Sequence, residues 1–203
     1  CAFDRSGRSY RSVLQSMGTV LALPIVWLDG VKTATIERAK QEDTFPVRTV
    51  DKEETEIRLL VENMGCINYG SHIYDKKGIP GVALGNMQHL FGWEMHCLPM
   101  DDLDKLAFTE KSTLCTDNPT FLCGEFSVGE PCDTFVEIVG GKKGFVTVNG
   151  FNLGRYFNMS TPQKTLYVPS AILKKGVNEI VIFESDGTND AVYAEFSDVP
   201  KLS

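Results

Sequence analysis

Histidine and cysteine side chains are the first candidates for metal binding or nucleophilic chemistry in this sequence. The three histidines are His72, His89 and His96, and the seven-residue gap between the last two fits no metal-ligand motif. The six cysteines fall at uneven intervals without a CxxC pair: Cys1, Cys66, Cys97, Cys115, Cys123 and Cys132. Cys123 and Cys132 are spaced to bridge a hairpin if the compartment is oxidising, which stays open. We therefore predict structural histidines, no metal and no cofactor.

Phosphate-binding and acid–base motifs give no stronger signal. The segment GGKKG at residues 140–144 lacks the GxxxxGK[ST] order and leads into a strand, so it predicts a hairpin tip. Glu62 and Glu184 follow apolar runs at similar places in the chain, which favours a structural role for both. Hydrolysis by paired carboxyl groups needs them about 5 to 9 Å apart, and no pair can be placed so. We predict no catalytic residue in this chain.

Composition and charge restrict the class of protein. The 203 residues are 42% hydrophobic and 23% charged, which is typical of a folded protein with a core. A net charge of -7 would repel a phosphate backbone, so nucleic acid is excluded as a partner. The longest apolar stretch, residues 20–28, is interrupted by Pro24 and is too short to span a membrane. Because the chain opens on Cys1 without a Met, we expect a cut or processed end.

A sequence repeat runs through the chain. VWLDG at residues 26–30 is echoed by VTVNG at residues 146–150, an offset of 120. EIRLLVENMG at residues 56–65 is echoed by NEIVIFESDG at residues 178–187, an offset of 122 that aligns the two glutamates named above. Two matching blocks in the same order predict a duplicated domain. In each copy an Asp-Gly or Asn-Gly pair predicts a tight hairpin turn.

The repeat and the turn residues together predict an all-β fold. Short apolar runs separated by glycine and proline are typical of sandwiches and jelly rolls. We predict two tandem antiparallel β-sandwiches, residues 1–108 and residues 109–203, with the boundary in a polar stretch near residues 105–120. Two short helical pieces are expected, at residues 101–106 and at residues 170–176, the second being a single turn with Ser170 as its cap.

The segment FNLGRYF at residues 151–157 is the most distinctive polar and aromatic stretch. One interpretation is a hairpin strand whose aromatic rings pack between sheets. The other is a sugar contact, because exposed aromatic rings beside amide and guanidinium groups bind sugar rings and hydroxyls. Asn152, Arg155 and Tyr156 are the candidate residues, and both interpretations stay open.

The same residues resemble a known family. The segments LLVENMGCINYG (59–70), KGFVTVNGFNLGRYF (143–157) and PQKTLYVP (162–169) closely resemble the C-terminal β-domains of family 35 β-galactosidases, and the resemblance runs from about Tyr10 to Pro200. The chain departs from the family at Cys66, where Arg is frequent, and at Phe157, where Trp is usual.

The resemblance implies two galactose-binding-like jelly rolls that accompany a catalytic barrel, which itself carries the two glutamates of a retaining β-galactosidase. It also implies that Asn68 and Tyr69 wall the edge of the galactose pocket or hold the barrel. The expected partners are the barrel of the same polypeptide and β-galactosides or galactose. The alternatives are a free-standing carbohydrate-binding module and an assembly domain that forms a homo-oligomer. The compartment leans towards the cytoplasm, with secretion or the lysosome left open.

Overall fold

The computed structural model describes residues 11–16, 23–36, 44–48, 54–63, 65, 68–71, 73–74, 78–79, 81–85, 88–109, 117–159, 161–187 and 191–202. The chain divides into two compact units, residues 1–97 and residues 98–203. Over the described residues both units are built from antiparallel strands, which confirms the predicted all-β class. No helix in these ranges is long and apolar enough to cross a membrane.

The first unit is a sandwich of two sheets. The strands in its described residues are β1 (Arg11–Ser16), β2 (Leu23–Leu28), β3 (Val31–Thr35), β4 (Thr44–Arg48), β5 (Ile57–Glu62), β6 (Val82–Leu84) and β7 (Gln88–His89). They form a four-stranded sheet in the order β4-β1-β6-β7 and a three-stranded sheet in the order β3-β2-β5. The core joins the two sheets, because Val26 of β2 packs with Val82 and Leu84 of β6. Burying these apolar side chains is the main stabilising term of the unit.

The second unit is also a sandwich of two sheets. Where the structure describes this unit, its strands are β8 (Thr120–Val128), β9 (Thr134–Val139), β10 (Lys143–Val148), β11 (Phe151–Phe157), β12 (Thr165–Val168), β13 (Gly176–Glu184) and β14 (Tyr193–Ser197). The sheets have the orders β11-β10-β13-β8 and β12-β9-β14. Val136 of β9 and Val146 of β10 are fully buried and belong to one core, so it lies between the sheets.

The strand connections repeat between the units. In the first unit β2 pairs with β3 and β5, while β1 pairs with β4 and β6. In the second unit β10 pairs with β11 and β13, while β9 pairs with β12 and β14. The predicted repeat therefore spans the topology of both sheets, well beyond the two matching blocks of sequence.

The two hairpin turns agree in backbone conformation. Asp29 and Asn149 both have φ of 49°, and the glycines that follow them both have φ of 80°. These positive angles at both central positions are those of the tight hairpin turn that Asp-Gly and Asn-Gly favour. The strand register also shifts at the same place in each hairpin, directly after Val26 in the first and directly after Val146 in the second. The predicted turns are confirmed in detail.

Three local expectations need correction. The GGKKG segment joins β9 to β10, which lie in different sheets, so it is a crossover and not a hairpin tip. Residues 101–106 form a turn rather than a helix, with one backbone–backbone hydrogen bond, from the Leu106 N–H to the Leu103 carbonyl. Ser170–Ile172 forms a single 3-10 turn as expected, but Ser170 is not its cap, because Pro169 holds the N-cap position and makes no side-chain cap hydrogen bond. The Ser170 N–H donates to Oδ1 of Asp133 over 2.8 Å.

The structure divides the chain eleven residues before the boundary predicted at Phe108. Residues 98–109 carry no strand, so their composition gave no local signal about the unit to which they belong.

Candidate functional site

The loop after β5 carries the first pair of predicted site residues. Oδ1 of Asn63 accepts a hydrogen bond from the Gly65 N–H over 2.9 Å, and Gly65 has φ of 85°, so the chain turns sharply as the strand ends. Asn68 is exposed, and the Tyr69 side chain is 78% exposed. The loop therefore presents an amide and an aromatic ring to solvent. Cys66 and His72 lie outside the described residues.

The second group of predicted residues lies on β11, and its members face different surroundings. Asn152 and Arg155 are exposed, and Oδ1 of Asn152 accepts the Gly154 N–H over 2.8 Å. Arg155 lies opposite Phe145 in the strand register. Tyr156 is only 5% exposed, because neighbouring residues of a strand point to opposite faces of the sheet. Asn152 and Arg155 thus lie on the surface, whereas the ring of Tyr156 packs in the core.

The Tyr156 hydroxyl contacts a buried carboxylate, that of Glu184 at the end of β13. Glu184 is fully buried, and its Oε2 accepts hydrogen bonds from the Tyr156 hydroxyl over 3.0 Å and from the Lys142 N–H over 2.7 Å. Its Oε1 accepts the Asp186 N–H over 2.9 Å and the Lys143 N–H over 3.5 Å. The backbone amides of the GGKKG crossover are therefore directed at an anion, which is the protein's own glutamate.

The environment of Tyr156 changes its acidity. Burial raises the pKa of the Tyr156 hydroxyl, and the nearby charge of Glu184 raises that pKa further. A phenol that resists ionisation serves as a hydrogen-bond donor and not as a general base. The Tyr156–Glu184 pair is therefore structural. The signal that could have identified it is a glutamate that ends a continuous run of apolar residues in a central strand.

The register also corrects the alignment of the two glutamates. Leu28 pairs with Ile57, and the equivalent Val148 pairs with Ile180, so the structural offset of the second block is 123 residues and not 122. With this offset, the residue of β5 that is equivalent to Glu184 of β13 is Val61. A one-residue shift moves a side chain to the opposite face of a sheet, so Glu62 and Glu184 are not equivalent positions.

The histidines and cysteines of the described residues form no reactive centre. His89 stacks on Phe91, and Nε2 of His96 lies 3.7 Å from a carboxylate oxygen of Glu94. Cys97, Cys123 and Cys132 are exposed free thiols. Cys123 and Cys132 are both among these free thiols, so the structure joins them by no disulfide. Within the described ranges no three metal-ligating side chains form a group.

The thiol of Cys123 is also poorly suited to nucleophilic chemistry. Partial burial raises its pKa, and the nearby carboxylate of Glu179, 3.9 Å from the sulfur, raises that pKa further. A raised pKa lowers the fraction of the nucleophilic thiolate at neutral pH.

Comparison with known proteins matches both units in order. Residues 3–100 match the family model of the first all-beta domain of β-galactosidase, and residues 119–178 match that of the galactose-binding domain of β-galactosidase. This chain belongs to the family 35 β-galactosidases, as their C-terminal β-domains. The first match covers most of the first unit, and the second match runs from the start of β8 into β13.

Whole β-galactosidases and their relatives are much longer than this chain. It is 39% identical over 158 residues to human beta-galactosidase-1-like protein 2, and the matched region is 73% of this chain and 24% of that protein. It is 34% identical over 167 residues to beta-galactosidase 1 of Dictyostelium discoideum, a match to 78% of this chain and 25% of that protein. It is 35% identical over 204 residues to bovine beta-galactosidase, a match to 86% of this chain and 30% of that protein. The chain therefore spans about a quarter of these relatives.

Proposed function

We propose that this chain is the accessory β-region of an enzyme that removes terminal β-linked galactose, and that a catalytic barrel of the same polypeptide performs the hydrolysis. The observation that carries the proposal is the match of both units, in order, to two domains of β-galactosidases. The chain docks on the barrel and completes the edge of its sugar pocket.

Asn68 and Tyr69 are the residues proposed to reach the pocket edge. A tyrosine ring that is 78% exposed offers an apolar face and a polar tip, which suits both a sugar and a neighbouring loop. The exposed amide of Asn68 beside it can donate to and accept from a hydroxyl group. A turn follows these two residues, because Gly70 has φ of 92° and its carbonyl accepts the Ile73 N–H over 3.4 Å.

The buried carboxylate of the described residues does not suit hydrolysis on its own. Glu184 is the one buried carboxylate among the described residues, and its oxygens already accept hydrogen bonds from four donors. A retaining glycosidase needs two carboxyl groups facing each other about 5 Å apart. We therefore expect the 203-residue chain alone to leave a chromogenic β-galactoside intact, and the complete gene product to hydrolyse it.

The test measures hydrolysis by both proteins and by a Tyr69→Ala variant of the complete protein. We expect the variant to raise KM with an unchanged melting temperature, because the exposed ring contributes to sugar contacts and little to folding. Tyr74→Ala is the matched control, because Tyr74 follows in the same loop and is 91% exposed. Hydrolysis by the 203-residue chain above a mock preparation contradicts the proposal, as does a Tyr69→Ala variant that behaves as Tyr74→Ala.

A carbohydrate-binding module is the second candidate, and the match of residues 119–178 to a galactose-binding domain favours it. The exposed side chains of Asn152 and Arg155 would then contact the sugar. Isothermal calorimetry of the 203-residue chain with galactose and lactose separates the candidates. Millimolar or tighter binding that Arg155→Ala removes and Lys174→Ala retains supports the module, whereas no binding favours docking on the barrel.

A further inference from the structure

A modification motif of the second unit has no part in the proposed function. Residues 158–160 read Asn-Met-Ser, the Asn-X-Ser/Thr form that oligosaccharyl transferases recognise. It is the one place in the 203 residues where this form occurs with X other than proline. Ser160 lies outside the described residues and matters here only by its identity. Asn158 directly follows β11, and the structure describes the surroundings of its amide.

The nitrogen that would receive the sugar already makes two hydrogen bonds. Nδ2 of Asn158 donates to the Ile138 carbonyl over 2.7 Å and to the Gly141 carbonyl over 2.9 Å. These two acceptors take both hydrogens of the amide group. An oxygen in this place would face two carbonyl oxygens, so the partners determine the orientation of the amide. Oδ1 of the same group is also buried, and the amide is therefore enclosed on both sides.

The backbone around Asn158 is held as firmly as its side chain. The Asn158 N–H donates to the Lys142 carbonyl over 2.8 Å, and its carbonyl accepts Nζ of Lys164 over 2.8 Å. The N–H and the hydroxyl of Thr161 both donate to the Phe157 carbonyl, over 3.2 Å and 2.9 Å. Drawing Asn158 out to meet an enzyme would break these bonds together with those of the amide.

The crossover that faces the amide is closely packed. A Cβ at Gly141 would lie 2.9 Å from Cγ2 of Ile138 and 2.9 Å from Cε2 of Tyr156. A Cβ at Gly140 would lie 2.2 Å from the Ala191 carbonyl oxygen. Both glycines therefore lack room for a single additional carbon atom, and a sugar ring is far larger than that.

We propose that N-glycosylation of Asn158 and folding of the second sandwich exclude each other, so that Asn158 accepts a glycan only while this unit is open. In the transfer, Nδ2 bonds to C1 of the sugar, the lipid pyrophosphate carrier leaves from that carbon, and the amide loses one proton. The product keeps a single N–H, so either Ile138 or Gly141 loses its donor. Both residues are buried, and water does not replace the lost hydrogen bond there.

Transfer to the folded chain tests the proposal directly. The purified 203-residue chain is incubated with oligosaccharyl transferase and a lipid-linked oligosaccharide, and glycan occupancy is measured by peptide mass spectrometry. Pro119→Ala supplies the matched control, because Asn118-Pro119-Thr120 then takes the acceptor form and Asn118 is exposed. We expect Asn158 to be modified at least about tenfold more slowly than Asn118 in that variant, because its reaction requires local opening. Similar rates at the two sites overturn the inference.

A variant that opens the second sandwich tests whether folding causes the protection. A Cβ at Gly144 would lie 1.6 Å from the Phe183 carbonyl oxygen, so Gly144→Ala disturbs the pairing of β10 with β13. Combined with Pro119→Ala, it should bring the rate at Asn158 close to the rate at Asn118. If Asn158 stays unmodified in this double variant, folding is not what closes the motif, and the inference fails.

The engagement of the amide nitrogen is tested without any glycan. Asn158→Asp places a second oxygen opposite the carbonyls of Ile138 and Gly141, and we expect the melting temperature to fall by about 5 °C or more. Asn152→Asp is the control, because Oδ1 of Asn152 acts as an acceptor for the Gly154 N–H and an aspartate retains that role. Equal melting temperatures for the two variants would show that folding does not depend on the Asn158 amide, which contradicts the proposal.

Discussion

The hydroxyl of Tyr156 donates a 3.0 Å hydrogen bond to Oε2 of Glu184, in the interior of the second sandwich. Burying a carboxylate is costly unless hydrogen bonds replace its water shell. Here one phenol and three backbone N–H groups take that place, and two of those N–H groups belong to the crossover between the two sheets. The pair therefore ties β11 and β13 to the chain segment that links the sheets.

Replacing Glu184 by Gln tests this arrangement. The amide nitrogen of Gln would face N–H or O–H donors, so at least one hydrogen bond becomes a repulsive contact. We expect the free energy of unfolding to fall by about 2 to 4 kcal/mol. Urea denaturation of the 203-residue chain measures the change, and Glu195→Gln, at an exposed strand position, is the control. Equal midpoints for the two variants would show that the carboxylate is not structural.

The raised pKa of Tyr156 predicts a loss of stability in alkali. The folded state favours the neutral phenol, so its contribution is complete below the unfolded tyrosine pKa of about 10 and is lost progressively as the pH rises above it. The stability advantage of the wild type over Tyr156→Phe should shrink by up to about 1.4 kcal/mol for each pH unit above 10. Urea denaturation between about pH 8 and pH 11 measures this difference. A constant difference across the range would be incompatible with it.

Close packing around Gly144 predicts a strong effect of a single methyl group. A Cβ at Gly144 would lie 1.6 Å from the Phe183 carbonyl oxygen, which belongs to the paired strand β13. Gly144→Ala must therefore separate β10 from β13, and we expect the free energy of unfolding to fall by about 3 kcal/mol or more. Gly124→Ala is the matched control, because its Cβ would meet only Cγ2 of Ile180 at 3.8 Å. Thermal unfolding measures the change, and a lower melting temperature for Gly124→Ala than for Gly144→Ala would refute this prediction.

Much of the architecture was predictable because it rests on local chemistry. The pairs Asp29-Gly30 and Asn149-Gly150 require φ values that few other residues adopt, and the structure shows those values at both sites. The apolar runs of β5 and β13 are too short for helices, which led to the β-sandwich class. Agreement between these local signals is what a sequence can reveal about its fold.

The features that were not predictable depend on the register of distant strands. The sequence alignment matches Glu184 to Glu62, but the strand register matches it to Val61, one residue earlier. The register is known from the pairing of Glu184 with Gly144 and of Val61 with Pro24. The burial of Tyr156 likewise depends on which face of β11 lies against the core. Glu62 and Glu184 look alike in sequence because similar runs precede them, but one residue of register assigns them to opposite faces.

The hairpin turns of the two units allow an exchange experiment. Oδ1 of Asp29 accepts the Glu56 N–H over 3.0 Å, and Oδ1 of Asn149 accepts the Glu179 N–H over 3.1 Å, so the acceptor role is common to both turns. Nδ2 of Asn149 donates in addition to the Ile172 carbonyl and to Oδ1 of Asn178, both over 2.8 Å.

An aspartate in place of Asn149 would point a second carboxylate oxygen at those two acceptors. We expect Asn149→Asp to lower the free energy of unfolding by about 2 to 4 kcal/mol, because two donors are lost and a negative charge faces two acceptor oxygens. The reverse exchange, Asp29→Asn, keeps the shared acceptor and should change stability by less than about 1 kcal/mol. Urea denaturation of both variants decides the matter. If the two exchanges cost the same, the turns are interchangeable and the side-chain donors of Asn149 contribute nothing to the second unit.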